Sequence, residues 1–223
     1  MYKLTKRLFD ILSSSIALII LSPLLLPIII LLRLTSEGEV FYFQERIGMH
    51  NKPFKIFKFA TMLKNSSKMK GGFITVKNDP RLTFMGAFLR KSKINELPQL
   101  LNIFLGHMSV VGPRPVMRVS FESYPEKIQK VIYNVKPGLT GIGSIIFRDE
   151  ERYLQDSENP IDFYDEHIIP YKSDLEVWFV DNYSFYLYIK IILITAWVVL
   201  FSKSHKAHRF LGNLPIKPVI FNK

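Results

Sequence analysis

Between Ile11 and Leu32 the chain runs through ILSSSIALIILSPLLLPIIILL, 22 residues without a charge. A straight helix of that length covers roughly 33 Å, enough for the hydrocarbon core of a bilayer. The apolar region is too long for a signal peptide, and no small-x-small cleavage site follows it. A plain single span is one reading. Pro23 and Pro27 argue against it, since each removes a backbone donor and clashes with the preceding turn. Ser22, just before Pro23, can bond a freed carbonyl and hold a bend. Charge points the same way: Lys3, Lys6 and Arg7 precede the segment, and Arg33 and a basic region follow it. The positive-inside rule keeps both flanks in the cytoplasm. A helix broken at Ser22-Pro23, entering and leaving by one face, satisfies both observations.

The whole chain has 223 residues, a formal net charge of +11 and 48% hydrophobic residues. Basic and apolar together indicate a protein on an anionic membrane or one handling phosphates, with nucleic acid as the competing partner. The 18 Phe and 10 Tyr would suit base stacking, but most lie in apolar runs suited to core or lipid. With no cysteine, disulfides and thiolate zinc sites are excluded.

Beyond the apolar segment, Glu39–Met62 alternates on either side of GMHNKP and predicts a β-hairpin. Asn65–Gly72 reads as a polar loop, and Thr83–Lys91 as a short helix capped by Thr83. Leu97, Leu100, Leu101, Phe104 and Leu105 predict one apolar face of a helix that ends at Gly106. PEKIQKVIYNV predicts another helix, stopped before KPGLTG. Arg148–Asp174 is acidic and polar and concentrates the chain's negative charge. Tyr183–Phe201, interrupted by Lys190, suits a marginal span or an interfacial helix, and KSHKAHR after it suits anionic lipid. The expected organisation is mostly helical α/β: a membrane-dipping helix-break-helix over 1–35, a catalytic domain over 36–181, and an interfacial helix with a basic tail over 182–223.

The chemistry concentrates in VKNDPRLTFMGAFLRKSKINELPQLLNIFLGHMSVVGPRPV. Arg81, Arg90 and Arg114 stand there with few acids, and a guanidinium fork suits two-point binding of phosphate oxygens. Pro113 and Pro115 stiffen the backbone that presents Arg114. Three solvated surface arginines are the plain alternative. Glu96 begins a predicted helix with Asn95 as its N-cap and Pro98 tolerated early, which by itself is an ordinary capped helix start. The same geometry also holds a carboxylate where it can ligate Mg²⁺ with substrate phosphates, or attack phosphorus. No Walker-type loop, dinucleotide fingerprint or H-E-x-x-H is present, and His107 is isolated.

KRLFDI leading into an apolar helix with Ser22-Pro23, VFYFQERIG with KPFKIFKFATM, KNDPRLTFMGAFLRK, NELPQLLNIFLGHMSVVGPRP and VKPGLTGIGS follow in series over about residues 6–145. In this order they resemble the bacterial sugar transferases that act as monotopic polyprenyl-phosphate phosphoglycosyltransferases. The resemblance implies a re-entrant membrane helix and a small α/β domain on the cytoplasmic face of the bacterial inner membrane, with amphipathic helices on the bilayer. It implies transfer of a sugar 1-phosphate from a UDP-sugar to undecaprenyl phosphate, with Mg²⁺ and release of UMP, at the start of surface-glycan synthesis. The family's catalytic Asp-Glu pair falls on Asn95 and Glu96, its preceding arginine on Arg90, and its phosphate-side loop on Pro113-Arg114-Pro115. Glu96 is then the metal ligand. The partners expected are the UDP-sugar, the polyprenyl phosphate and anionic lipid, without nucleic acid.

Three positions depart from the family: Asn95 replaces the aspartate, Ala60 stands where an arginine is common, and His107 where an acid is common. An amide cannot form an acyl phosphate. An active transferase therefore competes with a catalytically silent, membrane-bound homologue that binds or scaffolds, and UMP release separates the two. The identity of the sugar and the oligomeric state are not encoded in any motif.

Overall fold

The apolar N-terminal residues wind into one helix, α1 (Tyr2–Thr35), which among the described residues is the one long and apolar enough to cross a membrane. Three serines sit inside it without exposing unbonded hydroxyls: Ser13, Ser14 and Ser15 donate back to the carbonyls of Phe9, Asp10 and Ile11. The break expected at Ser22-Pro23 is not an interruption of the helix, which runs on through Pro23 and Pro27. Local chemistry explains the continuity. Pro23 withholds the amide that Ile19 would bond, and Ser22 Oγ donates to that same carbonyl oxygen at 2.8 Å.

The computed structural model describes residues 2–35, 37–66, 69, 79–148, 150–155, 159–201 and 210–221. Most of the expected polar loop after Leu63, the start of the arginine block before Asp79 and the KSHKAHR tail lie outside these residues. The chain divides into two compact units, Phe9–Gln44 with Lys55–Leu105, and Met1–Leu8 with Glu45–Phe54 and Gly106–Lys223. Both α1 and the hairpin are divided between these units.

In the first unit, Leu25, Ile28 and Leu32 form a stripe of α1 that packs on Phe59 and Leu89. Much of the remaining helix surface, including Leu12, Ile16, Ile20, Leu24 and Ile30, is exposed and apolar. The predicted hairpin forms from β1 (Phe41–Ile47) and β2 (Pro53–Phe59). His50 and Asn51 take positive φ at its tip, which belongs to the second unit. Helix α2 (Phe84–Lys91) starts as expected at Thr83, whose hydroxyl accepts from the Gly86 amide.

Helix α3 (Gln99–Leu105) is turned differently from its apolar pattern. Leu101, Phe104 and Leu105 are exposed, while Leu100, Asn102 and Ile103 face inward. The reason is Asn102, fully buried: its Oδ1 accepts from Phe57 N–H and its Nδ2 donates to Lys55 C=O. The side-chain amide thus serves β2 as a further strand would, satisfying two buried backbone groups.

The second unit is built on a parallel pair, β3 (Ser109–Val111) and β4 (Gly138–Thr140), in register Ser109↔Gly138 and Val111↔Thr140. Close backbone approach requires glycine at the strand end, since a Cβ on Gly112 would lie 2.2 Å from Lys136 O. The short helices α4 (Arg118–Glu122) and α5 (Glu126–Gln129) follow β3. The second of these stops far short of the predicted PEKIQKVIYNV helix, because Tyr133 is held elsewhere. Its hydroxyl donates to Arg114 O and accepts from Val116 N, and its carbonyl accepts from His50 N. Ile47, Phe121, Tyr124, Ile132, Tyr133 and Ile169 form the core around it.

After β4 come α6 (Ile142–Ile146), α7 (Glu150–Gln155), α8 (Pro160–Phe163), a π-turn over Tyr164–Ile168 and α9 (Ile169–Asp181). The last helix, α10 (Phe185–Phe201), buries Leu187, Tyr188, Ile191, Ile194 and Val198 and packs on β3, β4 and α6. It is half core helix, with an exposed apolar side bearing Leu193, Val199 and Leu200. The first turns of α1 join this unit, where Lys6 donates to Ser109 Oγ and lies 5.0 Å from the Tyr188 ring centre.

Candidate active site

Asn95 and Glu96 occupy a 3₁₀ turn, Ile94–Glu96, between α2 and α3. The turn starts at Lys93, which holds a left-handed conformation (φ 60°) after the α2 C-terminus. Asn95 is therefore inside the turn and is not the N-cap expected from sequence. The register shifts because Lys93 N–H still bonds Arg90 O, after which the chain must reverse before the next turn can form. Asn95 is 8% exposed, and its Oδ1 is buried with no donor among the described residues. Such an oxygen is costly unless a further partner meets it.

Glu96 is better provided. Its Oε1 lies 3.6 Å from Lys58 Nζ, with both side chains only 17% exposed. Lys58 was not among the sequence candidates. The available signal was its strand register: it lies two residues past the buried Ile56, on the same side of β2.

Arg90 leaves the last turn of α2, half buried, and its Nε donates to Thr61 Oγ1 at 2.9 Å. The KFATM segment thus bears on the site through Thr61, next to the departing Ala60. Arg81 differs from its sequence expectation. It is 3% exposed and its fork closes on Asp79, Nε to Oδ1 at 2.9 Å and an Nη to Oδ2 at 2.6 Å. Asp79 Oδ1 also accepts the Arg81 amide. This ion pair builds the frame beside α2, because a guanidinium engaged in this way does not present the same fork to phosphate. Asn95, Glu96, Lys58, Arg90, Thr61 and Arg81 all belong to the first unit.

Pro113, Arg114 and Pro115 belong to the second. Both prolines are buried and Arg114 is half buried. The loop is anchored by Gly138 N–H to Pro113 O and by Tyr133 Oη to Arg114 O, each at 2.9 Å. On the opposite side Arg114 N–H points to Glu176 Oε1 at 3.5 Å. Glu176 is buried in α9, and burial pushes its carboxyl up to about 7 despite the nearby Arg114 amide and Lys172. Sequence reading missed it, since an acid in an acidic stretch carries no signal of burial. His107 is exposed, with its ring centre 6.2 Å from that of Phe54.

Among the described residues no group of three or more His, Cys, Asp or Glu gathers as a metal cluster. Glu96 and the orphaned Asn95 Oδ1 remain as neighbouring hard oxygen donors. Mg²⁺ commonly takes one or two protein carboxylates and completes its shell with substrate phosphates and water, and the pair fits that habit.

Several known proteins are similar to this chain in sequence. Over 93% of its length the chain is 37% identical to the sugar transferase EpsL of Bacillus subtilis (strain 168), covering 96% of that protein. It is 41% identical over 165 residues to the exopolysaccharide production protein ExoY of Rhizobium meliloti (strain 1021), covering 67% of this chain and 72% of ExoY. It is 38% identical over 204 residues to a UDP-glucose:undecaprenyl-phosphate glucose-1-phosphate transferase of Klebsiella pneumoniae; these are 89% of this chain but 41% of that longer protein. The family model described as "Bacterial sugar transferase" matches residues 1–202, so the chain belongs to the bacterial sugar transferase family.

Proposed function

We propose that the protein transfers a sugar 1-phosphate from a UDP-sugar to undecaprenyl phosphate, opening the synthesis of a surface polysaccharide. The observation that carries this reading is the partly buried Lys58–Glu96 pair beside the orphaned Asn95 oxygen, in the NELPQ segment of a family member. In the overall reaction an oxygen of the lipid phosphate bonds to the β-phosphorus, the bond from that phosphorus to the bridging oxygen breaks, and UMP leaves with the electron pair. Lys58 orients Glu96, and Thr61 orients Arg90 toward a phosphate. Arg114, on its proline-stiffened loop, takes phosphate oxygens by its guanidinium, and Arg81 serves the frame. Glu96 and Asn95 Oδ1 would hold Mg²⁺, which when bound neutralises charge on the diphosphate. The Asn95 amide is no nucleophile, so the carboxylate chemistry falls to Glu96, as metal ligand or by direct attack on phosphorus.

Membranes containing the protein, given a panel of UDP-sugars, undecaprenyl phosphate and Mg²⁺, are expected to yield a lipid diphosphosugar and stoichiometric UMP. Removal of the metal by chelation should abolish both. A panel that yields neither product transfers support to the second reading, a silent homologue that binds without turnover. That reading is favoured by one observation, the amide in place of the family's aspartate.

The same reading places the chain at the cytoplasmic face of the bacterial inner membrane, with α1 dipping in and returning and the outer side of α10 at the headgroups. Charge on both flanks of the apolar segment supports it, together with the two prolines inside α1, where a helix bends most readily. Because the chain has no cysteine, single cysteines at Leu4 and Glu39 report without background. In vesicles of known orientation both should be labelled from one side, and replacing Pro23 and Pro27 by Leu should move one label across. Labelling from opposite sides in the parent means that α1 spans.

A further inference from the structure

Arg114 has both polar groups of its backbone engaged by side chains from distant parts of the second unit. Tyr133 Oη takes its carbonyl at 2.9 Å and also accepts from Val116 N at 3.1 Å, while Glu176 Oε1 faces its amide at 3.5 Å. The Gly143 amide, in the first turn of α6, faces the same Glu176 carboxyl. That approach is close: a Cβ on Gly143 would lie 2.5 Å from Glu176 Oε1. Glu176 is 2% exposed, and its Oε2 has no donor among the described residues. An apolar side chain would fill this position at lower desolvation cost, so the acid needs a reason beyond packing.

We propose that Glu176 is a positioning residue, whose buried carboxyl ties the Pro113–Arg114–Pro115 loop to the first turn of α6 and so fixes the direction in which Arg114 leaves the backbone. The assignment rests on the reading of Arg114 as a phosphate-binding residue. It adds that the loop's geometry depends on a carboxyl group supplied from α9, 62 residues along the chain.

The groups around this carboxyl are the Arg114 and Gly143 amides, Lys172 one turn before it in α9, the Arg114 guanidinium, Tyr133 from the loop before β4, and Tyr124 between α4 and α5. Lys172 is itself bonded to Glu150 of α7 at 2.6 Å, which draws part of its charge away from Glu176. With the carboxyl titrating at about 7, its contact with the Arg114 amide, and with the Gly143 amide that faces it, is charge-assisted above neutrality and neutral below it. The loop is therefore held more firmly as pH rises through 7.

Two measurements test this. In turnover assays the parent's KM for UDP-sugar should rise about fivefold as pH falls from 8 to 6, the scale separating charged from neutral hydrogen bonds. Glu176→Gln keeps an acceptor oxygen without the charge, so its KM should be high at both pH values with kcat little changed. Gly143→Ala, which pushes the carboxyl away while favouring the helix, should raise KM similarly. The second measurement is amide hydrogen exchange at Arg114 and Gly143, which needs no turnover. Exchange at both should accelerate at least about tenfold in Glu176→Gln relative to amides elsewhere in the second unit. Unchanged exchange at Arg114 in both variants, or a Glu176→Gln KM equal to the parent's with the same pH dependence, overturns the proposal. A parent without turnover but with the expected exchange pattern defeats the proposed function and leaves the clamp standing.

Discussion

Glu96→Gln is expected to lower UMP release by about 10³-fold or more, the scale of losing a group that acts directly on developing charge. Glutamine matches the volume, so packing of the 3₁₀ turn persists. The lost Lys58 pair is partly solvated and costs about 1 kcal/mol, leaving the protein folded. Asn95→Asp should act in the opposite direction on turnover, since it restores the family's acidic pair. It should also reduce stability in the absence of metal, because a second charge is placed where Asn95 Oδ1 already has no donor among the described residues. Added Mg²⁺ should recover that stability, readable as a thermal shift without any substrate. Radiolabelled phosphosugar trapped on the protein and mapped to Glu96 would establish attack by the carboxylate; lipid product without trapped label would establish direct transfer. Normal turnover by Glu96→Gln, or an inert parent switched on by Asn95→Asp, removes Glu96 as the sufficient carboxylate.

What could be seen in the sequence was local or serial. The hairpin follows from alternation around GMHNKP, α2 from the Thr83 cap, and the length of α1 from an uncharged run. The family followed from several motifs in order, a signal far more specific than any one of them. What could not be seen depends on partners distant in the chain. Asn102 reads as a polar residue beside an apolar helix face, yet it is fully buried because β2 offers it an N–H and a C=O. Tyr133 reads as part of a helix, yet its hydroxyl is required at Arg114. Lys58 and Glu176 are charged residues in ordinary surroundings until tertiary contacts bury them. Propensity and periodicity hold no term for a hydrogen bond made across dozens of residues, and the residues around the candidate site are of that kind.

Arg81 is where that difference has its largest energetic consequence. Read along the chain it is one of three arginines available to phosphate; in the fold it is a buried partner of Asp79, making a bidentate pair that also receives the Arg81 backbone amide. Removing one member of a buried pair leaves the other charge uncompensated, at about 3–5 kcal/mol, a large part of the 5–15 kcal/mol that holds a typical domain folded. Arg81→Ala and Asp79→Ala should each therefore lower the chemical-denaturation midpoint strongly. The expected loss is similar for the two, although only one of them removes a cation. The double variant Arg81→Met, Asp79→Leu should recover most of it, because neither charge then remains buried alone. A phosphate-binding arginine behaves differently: its loss raises KM, leaves the midpoint nearly unchanged, and gains nothing from replacing Asp79. Arg90→Ala should follow that second pattern, since its guanidinium is half buried and bonds the neutral Thr61 hydroxyl at Nε. If Arg81→Ala leaves the unfolding midpoint intact while weakening substrate binding, the frame role is wrong and the arginine returns to the phosphates.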